Sequence, residues 1–121
     1  MNVSEIHRQW LNEWERCRQA CETCIAGCYA EGNVEMARCI ILCMDCIDDC
    51  KMIEHCFAKD QWPVSGLRDY WAQQCGRCAD ECERFSDRQF CRLCAGACRR
   101  YAAVCQSRTL ASGTCFTVAS T

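Results

Sequence analysis

The sequence predicts an all-α fold, an antiparallel up-down-up-down four-helix bundle with a cysteine-lined core, and three observations lead there. Fifteen of the 17 cysteines fall in four blocks: Cys17, Cys21, Cys24, Cys28; Cys39, Cys43, Cys46, Cys50; Cys75, Cys78, Cys82; and Cys91, Cys94, Cys98, Cys105. Every step inside a block is three, four or seven residues, the spacing that keeps side chains on one face of an α-helix. At 100° per residue the first block covers a stripe about 60° wide, and the others are as narrow. The blocks are joined by short links, which favour antiparallel neighbours. With 6 Gly and 1 Pro, the chain is too poor in turn residues for a loop-rich scaffold.

The first helix is expected from Ser4, a good N-cap, to about Tyr29. Trp10 and Trp14 extend its cysteine stripe toward the N-terminus, and Arg8, Glu15, Arg18 and Glu22 form the solvated face. Ala30-Glu31-Gly32-Asn33 is the link to a second helix over residues 34–57. Ile53 and Phe57 continue that helix's stripe beyond Cys50. A second apolar strip, Ile40, Met44 and Ile47, lies about 100° away and fits either deeper burial or contact with another subunit.

Residues 58–66 hold the only proline and form the longest link. The third helix is expected over residues 67–85, with Trp71 one turn before Cys75. Ser86 and Gln89 have the spacing of a capping box for a fourth helix, which runs to about Gln106 with Tyr101 near its stripe. The bundle thus takes residues 1–107, and the Ser/Thr-rich stretch 108–121 reads as a loose tail. Cys56 lies off its stripe and Cys115 in the tail, so neither belongs to the pattern.

The chain has 121 residues and a formal net charge of -2, which suits one domain and gives no electrostatic case for nucleic acid or an anionic membrane. No apolar run approaches the roughly 20 residues of a membrane span. Met1-Asn-Val-Ser-Glu-Ile-His-Arg shows no signal-peptide pattern, so a cytoplasmic location is expected unless a native leader is missing. No nucleophile–base arrangement or Gly-rich phosphate loop points to an enzyme.

Cysteine at about 14% of residues signals a disulfide scaffold or a metal-binding protein. An odd count, the absence of an export signal and the helical pattern weigh against disulfides. Leucine would fill these positions more stably, so fifteen thiols on converging stripes call for a chemical reason. Thiolates select soft ions: Cu(I), Zn(II) or iron–sulfur clusters. Neither His7 nor His55 is on a stripe, and both are expected at the surface. The pairs Cys17/Cys21, Cys24/Cys28, Cys39/Cys43, Cys46/Cys50, Cys78/Cys82 and Cys94/Cys98 stand at i,i+4, where Cβ atoms about 5–6 Å apart suit an ion between two sulfurs.

Charge balance ranks the metals. Zn(II) in a four-thiolate site leaves about -2, and several such sites buried together are heavily anionic. One Cu(I) per thiolate is neutral. Iron–sulfur ligation clusters its cysteines and often ends in Cys-Pro, whereas these are spread over roughly 16 Å of each long block. Multiple Cu(I) ions fit best, with a zinc or mixed-metal thiolate buffer next, then an iron–sulfur electron carrier or a disulfide-stapled structural protein.

Cys-Ile-Ile-Leu-Cys-Met-Asp-Cys-Ile-Asp-Asp-Cys (39–50), Cys-Gly-Arg-Cys-Ala-Asp-Glu-Cys-Glu-Arg-Phe (75–85) and Cys-Arg-Leu-Cys-Ala-Gly-Ala-Cys-Arg-Arg (91–100) resemble the bacterial copper storage proteins from about Cys17 to Cys105. The resemblance implies a four-helix bundle, usually a homotetramer, that stores many Cu(I) ions along its core and is cytosolic where leaderless. The chain departs from the family in Ser86-Asp87-Arg88-Gln89-Phe90, where similar members often carry histidines, in Tyr101, where some have Cys, and in Cys43, where some have Asp.

Bundle topology sets Cys28, Cys39, Cys82 and Cys91 at one end and Cys17, Cys50, Cys75 and Cys105 toward the other. Trp10, Trp14, Phe57, Trp62 and Trp71 are expected to plug the second end. Glu35, Met36 and Asp87 mark the first as the place where metal enters, through a soft thioether and carboxylates that concentrate cations.

Overall fold

The computed structural model describes residues 3–59 and 61–107, all of whose regular structure is helical. Helix α1 spans Val3–Glu31, α2 Ala37–Cys50, α3 Met52–Ala58, α4 Ser65–Glu83 and α5 Gln89–Cys105. Together they form a helical bundle, with α2 and α3 sharing one corner. Its core is a column of thiols continued by aromatic rings. None of the described helices is long and apolar enough to cross a membrane.

α1 already includes Val3 and runs two residues past Tyr29. It stops at Gly32, whose φ of 64° is the left-handed conformation that glycine adopts without a Cβ penalty. The Gly32 N–H then reaches back to the Cys28 and Tyr29 carbonyls at 3.2 and 3.1 Å. Asn33 accepts a hydrogen bond from the Glu35 N–H at 3.0 Å, capping a 3-10 turn, Val34–Met36, that leads into α2.

The expected second helix is interrupted at Lys51. The residue keeps right-handed helical angles (φ -57°, ψ -25°), and the Glu54 N–H bonds to the Lys51 carbonyl, a tightened i→i+3 turn. The interruption leaves Ile53 and Phe57 buried on α3, while Glu54 accepts a hydrogen bond from the Trp14 indole.

α4 begins at Ser65 and ends at Glu83, offset by two residues from the expected 67–85. The capping box at Ser86 does not form: α5 starts at Gln89 after Arg88, and no side chain caps it. Residues 84–88 are instead a turn, with Phe85 N–H bonded to Cys82 O and Arg88 N–H to Phe85 O. Ser86 holds α5 through its carbonyl, which accepts from Arg92 Nη1 at 2.7 Å.

The sulfur contacts fix how the helices face one another. Cys17 meets Cys98 while Cys24 meets Cys91, and Cys39 meets Cys82 while Cys46 meets Cys75. In both helix pairs the order of one block is reversed in the other. Polar ties on the outside hold α2 to α4: Gln74 Nε2 donates to Asp49 at 2.6 Å, and buried Glu81 accepts from Arg84 and pairs with Arg38. On the outer face of α2, Ile41 and Met44 are 56% and 46% exposed. Ile40 and Ile47 turn partly into the core, which divides the second apolar strip between core and surface.

Candidate metal site

All fifteen stripe cysteines are buried, and the sixteen cysteines described, Cys56 among them, are free thiols. Fourteen of the stripe sulfurs assemble into five groups whose members lie within 4.8 Å of one another. From one end these are Cys24/Cys28/Cys39/Cys91, Cys24/Cys43/Cys82/Cys94, Cys21/Cys43/Cys78/Cys94, Cys17/Cys21/Cys46/Cys98 and Cys46/Cys50/Cys75. Successive groups share sulfurs: Cys24, then Cys43 and Cys94, then Cys21, then Cys46. The sites therefore form one continuous ladder.

The close contacts are mostly between helices. Cys46 and Cys75 are 3.4 Å apart, Cys39 and Cys82 3.5 Å, Cys43 and Cys78 3.6 Å, and Cys43 and Cys94 3.7 Å. These separations are well beyond the roughly 2.05 Å of a disulfide and suit an ion held between sulfurs. Of the six i,i+4 pairs, Cys17/Cys21, Cys24/Cys28 and Cys46/Cys50 share a group. Cys39/Cys43, Cys78/Cys82 and Cys94/Cys98 are divided between groups, because facing helices bring nearer partners.

Within the ladder the thiols differ in acidity. Hydrogen bonding from Cys39, with Cys43 and Cys94 adding to it, holds Cys24 below the ordinary thiol value, at about 4. Cys50 is lowered to about 6 by hydrogen bonds from Cys46 and Cys75. Cys28 and Cys91 shift up, chiefly through burial and then through the charge of Cys24. The groups at both ends thus contain thiols inclined to ionise, Cys24 and Cys39 at one and Cys50 at the other, and the thiolate is the form that takes a soft cation.

Cys105 is buried but joins none of the five groups. Cys56 is half-buried on α3 and also joins none. Cys115 lies outside the described residues.

At the end marked by Cys28 and Cys91, Met36 is fully buried one turn before Cys39, whereas Glu35 and Asp87 are exposed. Asp87 accepts from Arg88 Nη1 at 3.0 Å. The same guanidinium bonds both carboxylate oxygens of Glu31, at 2.9 to 3.2 Å, and stands 5.8 Å from the centre of the Phe85 ring. Arg88 therefore clasps the last turn of α1 to the start of α5 beside Cys28 and Cys91.

At the opposite end Trp10, Trp14, Trp62, Trp71, Phe57 and Tyr101 are all buried. Trp10 meets Phe57 edge-on with centroids 5.5 Å apart and donates to the Tyr101 hydroxyl at 3.3 Å. His7 is not a bare surface residue: its ring stacks 4.1 Å from Phe57 and lies 4.7 Å from Trp62. His55 is exposed. Sequence reasoning also missed Arg68, a charged residue 4% exposed at this end. Its signal was its position, seven residues before Cys75 and so about 20° from it on the helix wheel.

A family model described as copper storage protein matches residues 3–110. No curated protein and no solved structure matches the chain.

Proposed function

The chain belongs to the copper storage protein family, a storage family and not a catalytic one, and from that premise we propose that it holds multiple Cu(I) ions along its thiol ladder. The ligands are Cys17, Cys21, Cys24, Cys28, Cys39, Cys43, Cys46, Cys50, Cys75, Cys78, Cys82, Cys91, Cys94 and Cys98. The observation that carries the reading is the sharing of sulfurs: fourteen of them fill five groups, and five serve two groups each.

Sulfur distances alone suit any soft ion, so charge decides. Five Zn(II) ions bring about ten positive charges against fourteen thiolates and leave about four negative charges in a buried core. Cu(I), at about one per thiolate, leaves none. An ion that binds a protonated thiol displaces its proton, and one that binds an already ionised thiol such as Cys24 or Cys50 neutralises it, so the filled core is neutral. Loading therefore never leaves the bundle with more buried charge than it had empty.

Metal enters at the Glu35/Met36/Asp87 end, where the cover is ionic and exposed. A reducing compartment, the cytoplasm, keeps the thiols available. The exposed Ile41 and Met44 on α2 support self-association, for which light scattering of the purified protein is the test. Anaerobic titration with Cu(I), followed by metal analysis, tests the storage reading. Uptake of on the order of ten or more ions per chain is expected from one ion per thiolate. Saturation at three or four, or tighter retention of zinc than copper, sinks it.

A further inference from the structure

Helix α2 carries an outer ridge that the bundle leaves uncovered. Ile41, Met44, Asp45 and Asp48 fall within about 100° of one another on its wheel, and all four are exposed. Neither aspartate enters an ion pair among the described residues. The ridge therefore interleaves two apolar side chains with two acidic ones. With 14 residues, α2 is about 21 Å long.

A groove of complementary character runs along the seam between α1 and α5. Two stretches of it, of about 770 and 380 Å³, meet at Arg16 and Arg100, which line both. Ile6, Ala20, Leu93, Ala97 and Val104 supply apolar lining. Small residues keep the seam open, and a Cβ on Gly96 would meet no atom within 4 Å. From Ile6 to Thr23 the α1 wall is about 26 Å long, enough for the length of α2. Arg16, Arg92 and Arg100 are exposed along the groove. The one carboxylate among its described lining residues, Glu13, stands 3.9 Å from Arg16 and 3.7 Å from Arg100. Three guanidinium groups against one carboxylate leave the groove with an excess of positive charge.

We propose that the acidic ridge of α2 docks into the basic α1/α5 groove of a second copy of this chain. This pairing rests on the self-association reading and supplies its two mating surfaces. Helices α1 and α4 each pack against both α2 and α5, so α2 and α5 stand at opposite corners. A chain therefore does not cover its own groove with its own ridge. The contact is head-to-tail, and each chain uses both surfaces. Ridge against ridge would bring the aspartates of two copies together, which like charge disfavours. Ridge in groove sets Asp45 and Asp48 against guanidinium groups and covers Ile41 and Met44 with apolar side chains, as an amphipathic helix fills a groove. Attraction between exposed charges weakens with salt, so the association weakens with it.

The test follows mass by sedimentation velocity over a concentration series, with far-UV circular dichroism to show that each variant is folded. The ridge variant is Asp45→Arg with Asp48→Arg, and the groove variant is Arg16→Glu with Arg100→Glu. Each alone is expected to weaken assembly by about a hundredfold or more, because like charges then face one another. Mixed one to one, the two are expected to assemble again, since reversed ridge meets reversed groove and intact ridge meets intact groove. Recovery on mixing is not what a packing defect gives. Where the groove variant does not fold, Gly96→Glu replaces it: it sets a carboxylate in the open groove and removes a glycine from a helix interior. Full assembly by the folded groove variant alone overturns the pairing and leaves self-association standing, as does a mixture that stays apart. A wild type that is monomeric at every concentration overturns the self-association reading itself.

Discussion

The two ends of the bundle close the same thiol column with opposite chemistry. Beside Cys28 and Cys91 the closure is an exposed clasp, in which Arg88 bridges Glu31 and Asp87 over the Phe85 ring. Beyond Cys50 the closure is a buried stack of Trp10, Trp14, Phe57, Trp62, Trp71 and Tyr101. Ion pairs in water are weakly held and are screened by salt. Each buried aromatic removes about 150–250 Å² from water and opens only at the cost of the core. Local opening is drawn from the weakly held regions of a fold. The contrast therefore supports the proposed direction of the column, in which metal would pass the clasp while the aromatic end anchors the bundle.

The largest expected effect breaks the anchor. Trp10→Ala removes a ring with no exposed surface, its edge contact with Phe57 and its hydrogen bond to Tyr101. Loss of about 3–5 kcal/mol is expected in urea unfolding of the metal-free protein, while variants that remain folded load the wild-type amount of copper. A change below about 1 kcal/mol removes the anchor from the account.

Met36→Ala tests whether the clasped end is as lightly built as its surface suggests. The side chain has no exposed area, so about 2–5 kcal/mol is expected from the cavity. Slower copper loading is expected with it if the thioether also passes metal inward. Loading by Met36→Ala and Asp87→Ala at the unaltered rate would falsify the assignment of the way in.

How much of this asymmetry could be read from the residues follows from what periodicity encodes. The stripes were legible because 3.6-residue spacing assigns a face without reference to partners, and Trp10, Trp14 and Trp71 came with them. Arg68 sits on the same face two turns before Cys75, but its polar type masks a position that the spacing alone marks. His7 stacks on Phe57 and Trp62, far along the chain, and no local pattern records such a meeting. The capping box failed for a related reason: Ser86 and Gln89 have the spacing, yet Arg88 bonds Glu31 on another helix, and the turn over 84–88 takes the place of the cap. The break at Lys51 had no signal either, since neither Gly nor Pro stands there.

A pH series sharpens the contrast at the level of the thiols. Burial raises the pKa of Cys28 and Cys91, so both carry protons at neutral pH, and bound Cu(I) must displace them. Lowering the pH favours the protonated thiol and hence copper release, by about tenfold in affinity per pH unit for each proton displaced. Raising it above those thiols' pKa abolishes the dependence. Competition with a Cu(I) chelator whose own affinity is known at each pH measures the slope. A slope of zero between pH 6 and 8 means that these thiols are already ionised or hold no metal.

The smallest effect on stability, and the most direct test of the comparison, is Arg88→Ala. The side chain's bonds are to exposed carboxylates, so the urea midpoint of the metal-free protein is expected to move little. The aromatic end is untouched, and so are the fourteen sulfurs of the ladder, so copper capacity is expected to stay the same. What changes is the cover over Cys28 and Cys91. Initial Cu(I) uptake, followed by the rise of thiolate-to-copper absorbance in a stopped-flow instrument, is expected to quicken between about 1.5- and 5-fold, the range that exposed ion pairs carry. Added salt should quicken the wild type in the same direction by screening Arg88 from Glu31, and should leave Arg88→Ala nearly unchanged. An unaltered rate in the variant, together with a wild type insensitive to salt, means that the clasp does not cover the way in and that the two ends differ in chemistry without differing in access.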